Sequence, residues 1–182
     1  MASGIERSGR PMQGCVACQR VSIGYVRSMH GKDQSPSAGM AAALVAAREA
    51  GRRSEVPVGA AIVGPDGVVV AAEGNRTRAL ADPTAHAEIL AIRAACAAVG
   101  SERLDGYDLY VTLEPCAMCA GAISAARLRR LYYGAPDPKS GGVEHGARVF
   151  ASPTCHHCPD VYGGISATAA AEMLKTFFAK LR

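Results

Sequence analysis

The chain has no tryptophan and only three phenylalanines and six tyrosines in 182 residues. It also has no stretch that approaches the roughly 18 consecutive apolar residues of a membrane helix, so no spanning segment is expected. Its start lacks the apolar centre and small-residue cleavage site of a secretory signal. Acids are scarce over 1–39, where Gly, Ser and Arg recur without a helical or strand period. Such a stretch cannot bury enough apolar surface to offset the entropy of folding, and it is read as a disordered extension. Being Arg-rich and acid-poor, it also resembles some organelle transit peptides; Met40 is an alternative start of the folded chain. Residues 40–182 are expected to form the working domain.

What remains is enough for one domain. The apolar fraction is 49%, which supports a core. A formal net charge of +4 suits a polyanionic partner without demanding one. Seven cysteines, an odd number, fit a reducing cytoplasm, where closely spaced Cys and His point to metal or catalysis rather than disulfides. Cys96 falls in an Ala-rich helical run and reads as core packing. Cys15-Val16-Ala17-Cys18 is a bare C-x-x-C in the extension and reads as two thiols on a tail. Cys155-His156-His157-Cys158 reads as a polar loop rather than a second metal cluster, because adjacent residues rarely reach one ion together.

Two stretches stand apart. His86-Ala87-Glu88 is an H-x-E, and Pro115-Cys116-Ala117-Met118-Cys119 is a P-C-x-x-C. One imidazole and two thiolates give three protein ligands and leave a fourth tetrahedral position for water, the arrangement of a catalytic zinc. Pro115 suits the first position of a helix, which would place Cys116 and Cys119 on one face of its first turn. A helix N-terminus favours thiolate over thiol. Asp82-Pro83 is read in the same way, as a cap and first turn ahead of His86. His86 and Glu88 stand at i and i+2 and cannot bind one ion from the same face. The histidine therefore ligates, and Glu88 addresses the bound water as general acid and base.

Periodicity gives helices over Met40–Arg52, Pro83–Val99 and Pro115–Ala125. Strands are expected over Val56–Val63, Val68–Ala72, Tyr107–Thr112 and Arg129–Tyr133, with a hairpin turn at Gly64-Pro65-Asp66-Gly67 and a last strand within Pro159–Ile165. Ser166 is placed as the cap of a final helix. Its apolar stripe of Ala170, Met173, Leu174, Phe177, Phe178 and Leu181 should be mostly core, with Phe178 at the edge and free to stack on a base. Strands alternating with helices imply an α/β domain with part of its sheet parallel.

H-x-E followed by P-C-x-x-C is the signature of the zinc nucleobase deaminases. With Glu55-Val56-Pro57-Val58-Gly59-Ala60, Gly74-Asn75-Arg76 and Thr112 through Ile123, the sequence from about Met40 onward resembles the bacterial tRNA-specific adenosine deaminases of the cytidine deaminase superfamily. The resemblance implies a three-layer α/β/α fold with a five-stranded mixed sheet and helices on both faces. It implies one Zn2+ per subunit on His86, Cys116 and Cys119, with Glu88 catalytic. It also implies hydrolytic deamination of the wobble adenosine of a tRNA anticodon stem-loop to inosine, by a cytoplasmic homodimer. By the same resemblance Asn75 and the backbone of Ala87 hold the base, Asp137 and Phe178 contact RNA, Lys180 and Arg182 meet phosphates, and Glu114 supports structure. The zinc signature alone names the reaction and not the base. A guanine or nucleoside deaminase acting on a free base is one alternative, and a zinc-folded RNA-binding module without catalysis is another.

Overall fold

The computed structural model describes residues 37–180. The expectations for 1–36, including Cys15-x-x-Cys18, and for Leu181 and Arg182 lie outside the described residues. Ten elements follow in order: α1 (Ala38–Arg52), β1 (Gly59–Val63), β2 (Val69–Gly74), α2 (Ala87–Val99), β3 (Asp108–Leu113), α3 (Ala117–Ala125), β4 (Arg130–Ala135), a 3-10 turn (Val149–Ala151), β5 (Asp160–Tyr162) and α4 (Ala167–Ala179). Ala38 and Gly39, assigned from sequence to the extension, are helical, and the Ser37 hydroxyl accepts from the Met40 N–H to cap that helix.

The sheet runs β2-β1-β3-β4-β5. β1 is antiparallel to both β2 and β3, while β3, β4 and β5 are parallel. Strand alternation divides the core in two. Ala60, Ile62, Leu109 and Val111 face α2 and α3, together with Ala91, Ala95 and Ile123. Ala61 and Tyr110 face the other way, toward Met40, Ala43 and Leu44 of α1 and Met173 of α4. The result is the three-layer α/β/α arrangement and mixed sheet expected. Neighbouring positions on β3, β4 and β5 stack Tyr110 on Tyr132 and Tyr132 on Tyr162 at 4.5 and 4.9 Å, a ladder of rings across the parallel strands.

Three local readings are corrected. Pro83 does not open α2. The Asp82 carboxylate accepts from the Thr84 N–H and hydroxyl, which closes a separate Asx turn, and α2 begins at Ala87. Pro115 likewise precedes the cap of α3 rather than opening the helix. Ser166 stands at the start of α4, but with φ +56° and no side-chain capping bond.

Two packing expectations also change. Only Ala170 of the α4 stripe is buried; Met173, Leu174 and Phe177 are half-covered, because α4 lies at the rim over β4 rather than between layers. The 155–158 stretch is not a solvated polar loop. Cys155 is buried in the core, and His157 Nε2 lies 2.7 Å from the Leu128 carbonyl.

Candidate active site

The shifted helix starts define the site. His86 and Cys116 are both N-cap residues in extended backbone, one at the head of α2 and one at the head of α3. A cap side chain points off the helix end instead of lying along its flank. Two helix N-termini therefore present an imidazole and a thiol to the same point, and Cys119 adds a second thiol from the first turn of α3. The His86 Nδ1 atom is 3.8 Å from Cys116 Sγ and 3.6 Å from Cys119 Sγ. A nitrogen and a sulfur bound to one tetrahedral zinc stand roughly 3.6 Å apart. Among the described residues this is the only trio of His, Cys, Asp or Glu gathered closely enough to hold an ion.

The protonation chemistry of the trio fits a cation. Cys119, sharing its thiol proton, and His86 hold the Cys116 thiol down to about 3. Cys119 moves upward, because that shared proton stays on it and because it is buried. A thiolate beside a thiol and an imidazole under two positive helix ends is a donor set suited to zinc.

Glu88 follows at the second position of α2 and is 4% exposed. Burial pushes its carboxyl above the ordinary range, with His86 pulling the other way, and the group also senses Cys116 and Cys119. It is a carboxyl held near the ligands without being one of them.

Asn75 is almost fully buried at the end of β2, and its Oδ1 accepts from the Ala87 N–H at 2.8 Å. The two groups assigned to the base thus bind each other. The Ala87 N–H serves to orient Asn75, and the side-chain NH2 of Asn75 is what this pair can offer a ligand. Asp137 is half-buried and first of all builds its own turn: Oδ1 accepts from the N–H groups of Lys139 and Ser140. Phe178 is 49% exposed on α4, across the sheet from α2 and α3, and meets Phe177 edge-on at 5.4 Å.

Glu114 carries more than the support expected of it. Its side chain is fully buried. It accepts from the backbone N–H groups of Asp137, Val143, Glu144 and His145, and from His145 Nδ1 at 2.7 Å. These bonds fold the 136–146 loop down onto Cys116. Gly142 lies so close that an added Cβ would stand 2.4 Å from the Ala117 nitrogen, so this approach requires glycine. Glu55 does the same for the other side. It accepts from the N–H groups of Arg78 and Ala79 and from the Thr77 hydroxyl, fixing the loop between Asn75 and His86. Sequence spacing gave no sign of the Glu55 and His145 contacts; an acid next to a Pro-Cys motif was the sole hint for Glu114.

The profile of the cytidine and deoxycytidylate deaminase zinc-binding region matches residues 33–135. A tRNA-specific adenosine deaminase of Agrobacterium fabrum is 64% identical over 143 residues, covering 79% of this chain and 93% of that protein. The chain belongs to the tRNA-specific adenosine deaminase family. A solved structure from work on A-to-I editing by tRNA:A34 deaminases at the wobble position is 65% identical. It superposes with a TM-score of 0.73 over 74% of this chain and 97% of its own. The guanine deaminase of Bacillus subtilis is 39% identical, with a TM-score of 0.53 over 57% of this chain and 66% of its own.

Proposed function

We propose that this protein deaminates the wobble adenosine of a tRNA anticodon loop hydrolytically, giving inosine and ammonia. The observation that carries the reading is the buried Glu88 carboxyl beside the His86, Cys116 and Cys119 cluster, in a chain with such high identity to tRNA-specific adenosine deaminases.

His86, Cys116 and Cys119 would hold the zinc ion, which when bound would supply the acidity that makes water nucleophilic near neutral pH. Glu88 receives the proton released as water adds to C6 of adenine. It passes that proton to the ring nitrogen, then takes the remaining proton from the added hydroxyl and delivers it to the leaving amino group as the C6–N bond breaks, acting as base and acid in turn. Its burial suits the second role, because a carboxyl raised above its ordinary range holds a proton long enough to deliver it. Asn75, locked by the Ala87 N–H, presents its NH2 to the base edge. A base in an anticodon loop already lies outside a duplex, so its extrusion costs little. Phe178 stacks on a neighbouring base, Asp137 and Lys180 contact the loop, and a homodimer in the cytoplasm is the working form.

The test is incubation with an anticodon stem-loop RNA in parallel with free guanine and free adenosine. Inosine formed from the RNA alone supports the proposal. Ammonia released from free guanine assigns the protein instead to the free-base chemistry seen in its guanine deaminase relative. Sedimentation checks the dimer separately.

A further inference from the structure

The apolar stripe of α4 is only half-covered at Met173 and Phe177. Both residues line a groove of about 670 Å³ between α1 and α4. We propose that this groove holds the nucleotides flanking the edited adenosine, with their phosphates on Arg48 and Lys180 and a base stacked on Phe177. This rests on the substrate being an RNA loop.

The groove opens at the catalytic end of the sheet. Ser54 and Pro57 line it. Glu55, between them, accepts from the Arg78 and Ala79 N–H groups of the loop that leads from Asn75 to His86. The carbonyl of Val58, the residue after Pro57, accepts from the Asn75 N–H at 3.0 Å. One residue of chain and one hydrogen bond thus separate Pro57 from Asn75, roughly 7 Å in all. An RNA strand leaving a base held by Asn75 meets the groove at the neighbouring nucleotide.

The lining suits a chain of phosphates and rings. Arg48, Arg52 and Lys180 stand there against one acid, Glu172. Arg52 is paired with Glu49, whereas Arg48 and Lys180 enter no ion pair among the described residues. Pro57, Met173 and the Phe177 ring supply the apolar part, and Phe178 meets that ring edge-on at 5.4 Å. Cationic walls combined with an accessible aromatic face hold single strands through their backbone and their stacking surfaces.

Gly51 is an independent sign that the groove is kept open. It stands in the last turn of the Ala-rich α1 and lines the groove, although glycine weakens a helix relative to alanine. The helix end does not require it, because the left-handed residue there is Ser54, at φ +62°. Space does not require it either: an added Cβ would meet Pro57 Cβ at 3.4 Å, an ordinary contact. What a larger side chain at this position would do is fill the groove.

The test is equilibrium binding of an anticodon stem-loop RNA to the zinc-loaded protein across a salt series, with inosine formation followed on the same preparations. Arg48→Ala and Lys180→Ala should each flatten the slope of log affinity against log salt by about 0.7, one phosphate contact apiece. Phe177→Leu keeps the apolar packing and should weaken binding about fivefold or more, the loss of one stacked base. Gly51→Leu leaves every charge in place and should weaken binding to a similar extent. Arg103→Ala, beside Glu102 and ahead of β3 at the far end of the sheet, should bind as the parent does. Unchanged slopes in Arg48→Ala and Lys180→Ala, or an equal change in Arg103→Ala, overturn the groove, while inosine made from the RNA by the parent keeps the catalytic reading. A parent that makes no inosine removes the RNA substrate and the role of the groove with it. A Gly51→Leu variant that sediments differently but binds RNA normally overturns the proposal by assigning the groove to a second copy of the chain.

Discussion

Replacing Glu114 with Gln tests the reasoning about the 136–146 loop directly. The change keeps volume and shape and removes only one charge and one acceptor. In the parent, Oε1 accepts from the N–H groups of Val143, Glu144 and His145, and Oε2 from the Asp137 N–H and the His145 ring. A glutamine oxygen placed at Oε1 keeps the first three bonds but without ionic strengthening, worth roughly half of each. The NH2 then faces the Asp137 N–H, leaving a buried donor without an acceptor at about 1–3 kcal/mol. The His145 ring can rotate or change tautomer and need not add to the loss. Together these give a destabilisation of about 3 kcal/mol, or about 6–12 °C in melting temperature for a chain of this size. Glu114→Ala should cost more, because all four backbone donors then lose their acceptor. Urea unfolding of the zinc-loaded protein reads the stability, and limited proteolysis across 136–146 reads the loop. A Glu114→Gln variant within about 0.5 kcal/mol of the parent, with the loop equally protected, would refute the idea that one carboxylate organises it.

Three further outcomes follow from the site. Glu88→Gln should keep zinc and fold while losing turnover by roughly 10²–10⁴-fold, read by inosine formation and metal analysis on the same sample; undiminished turnover removes Glu88 from the mechanism. Asn75→Ala strips the Ala87 N–H of its acceptor and the base of a donor, so it should raise KM for the stem-loop and cost about 1–3 kcal/mol of stability. A stability loss without any change in KM would make Asn75 purely structural. Burial alone would raise the Glu55 carboxyl, but the bonds from Ala79, Arg78 and Thr77 outweigh it and hold it below the ordinary 4.5. A depressed folded value contributes stability above the unfolded value and loses it as pH falls. The stability gap between parent and Glu55→Gln should thus be widest near neutral pH and close as pH drops below about 4.5; a gap independent of pH defeats this account.

The sequence by itself determined the donor set for the metal and the order of elements. His86, Glu88, Cys116 and Cys119 are legible because H-x-E and P-C-x-x-C are short local patterns, each of which keeps its members together at one helix start. The strands and helices were legible for the same reason, to within a few residues at their ends. Helix starts were not, since Pro83 and Pro115 each favour a first turn and only the Asx turn at Asp82 and the extended backbone at His86 and Cys116 show where the helices begin. Tertiary structure alone decided that two caps 30 residues apart face one ion, that Glu114 gathers a loop more than 20 residues downstream, and that the Ala87 N–H is engaged by Asn75. It also decided that the α4 stripe is only half-covered and that Cys155 and Cys158 are packed rather than solvated. Each of these depends on which elements the sheet order brings together, and a pattern read along the chain carries no term for contacts across it.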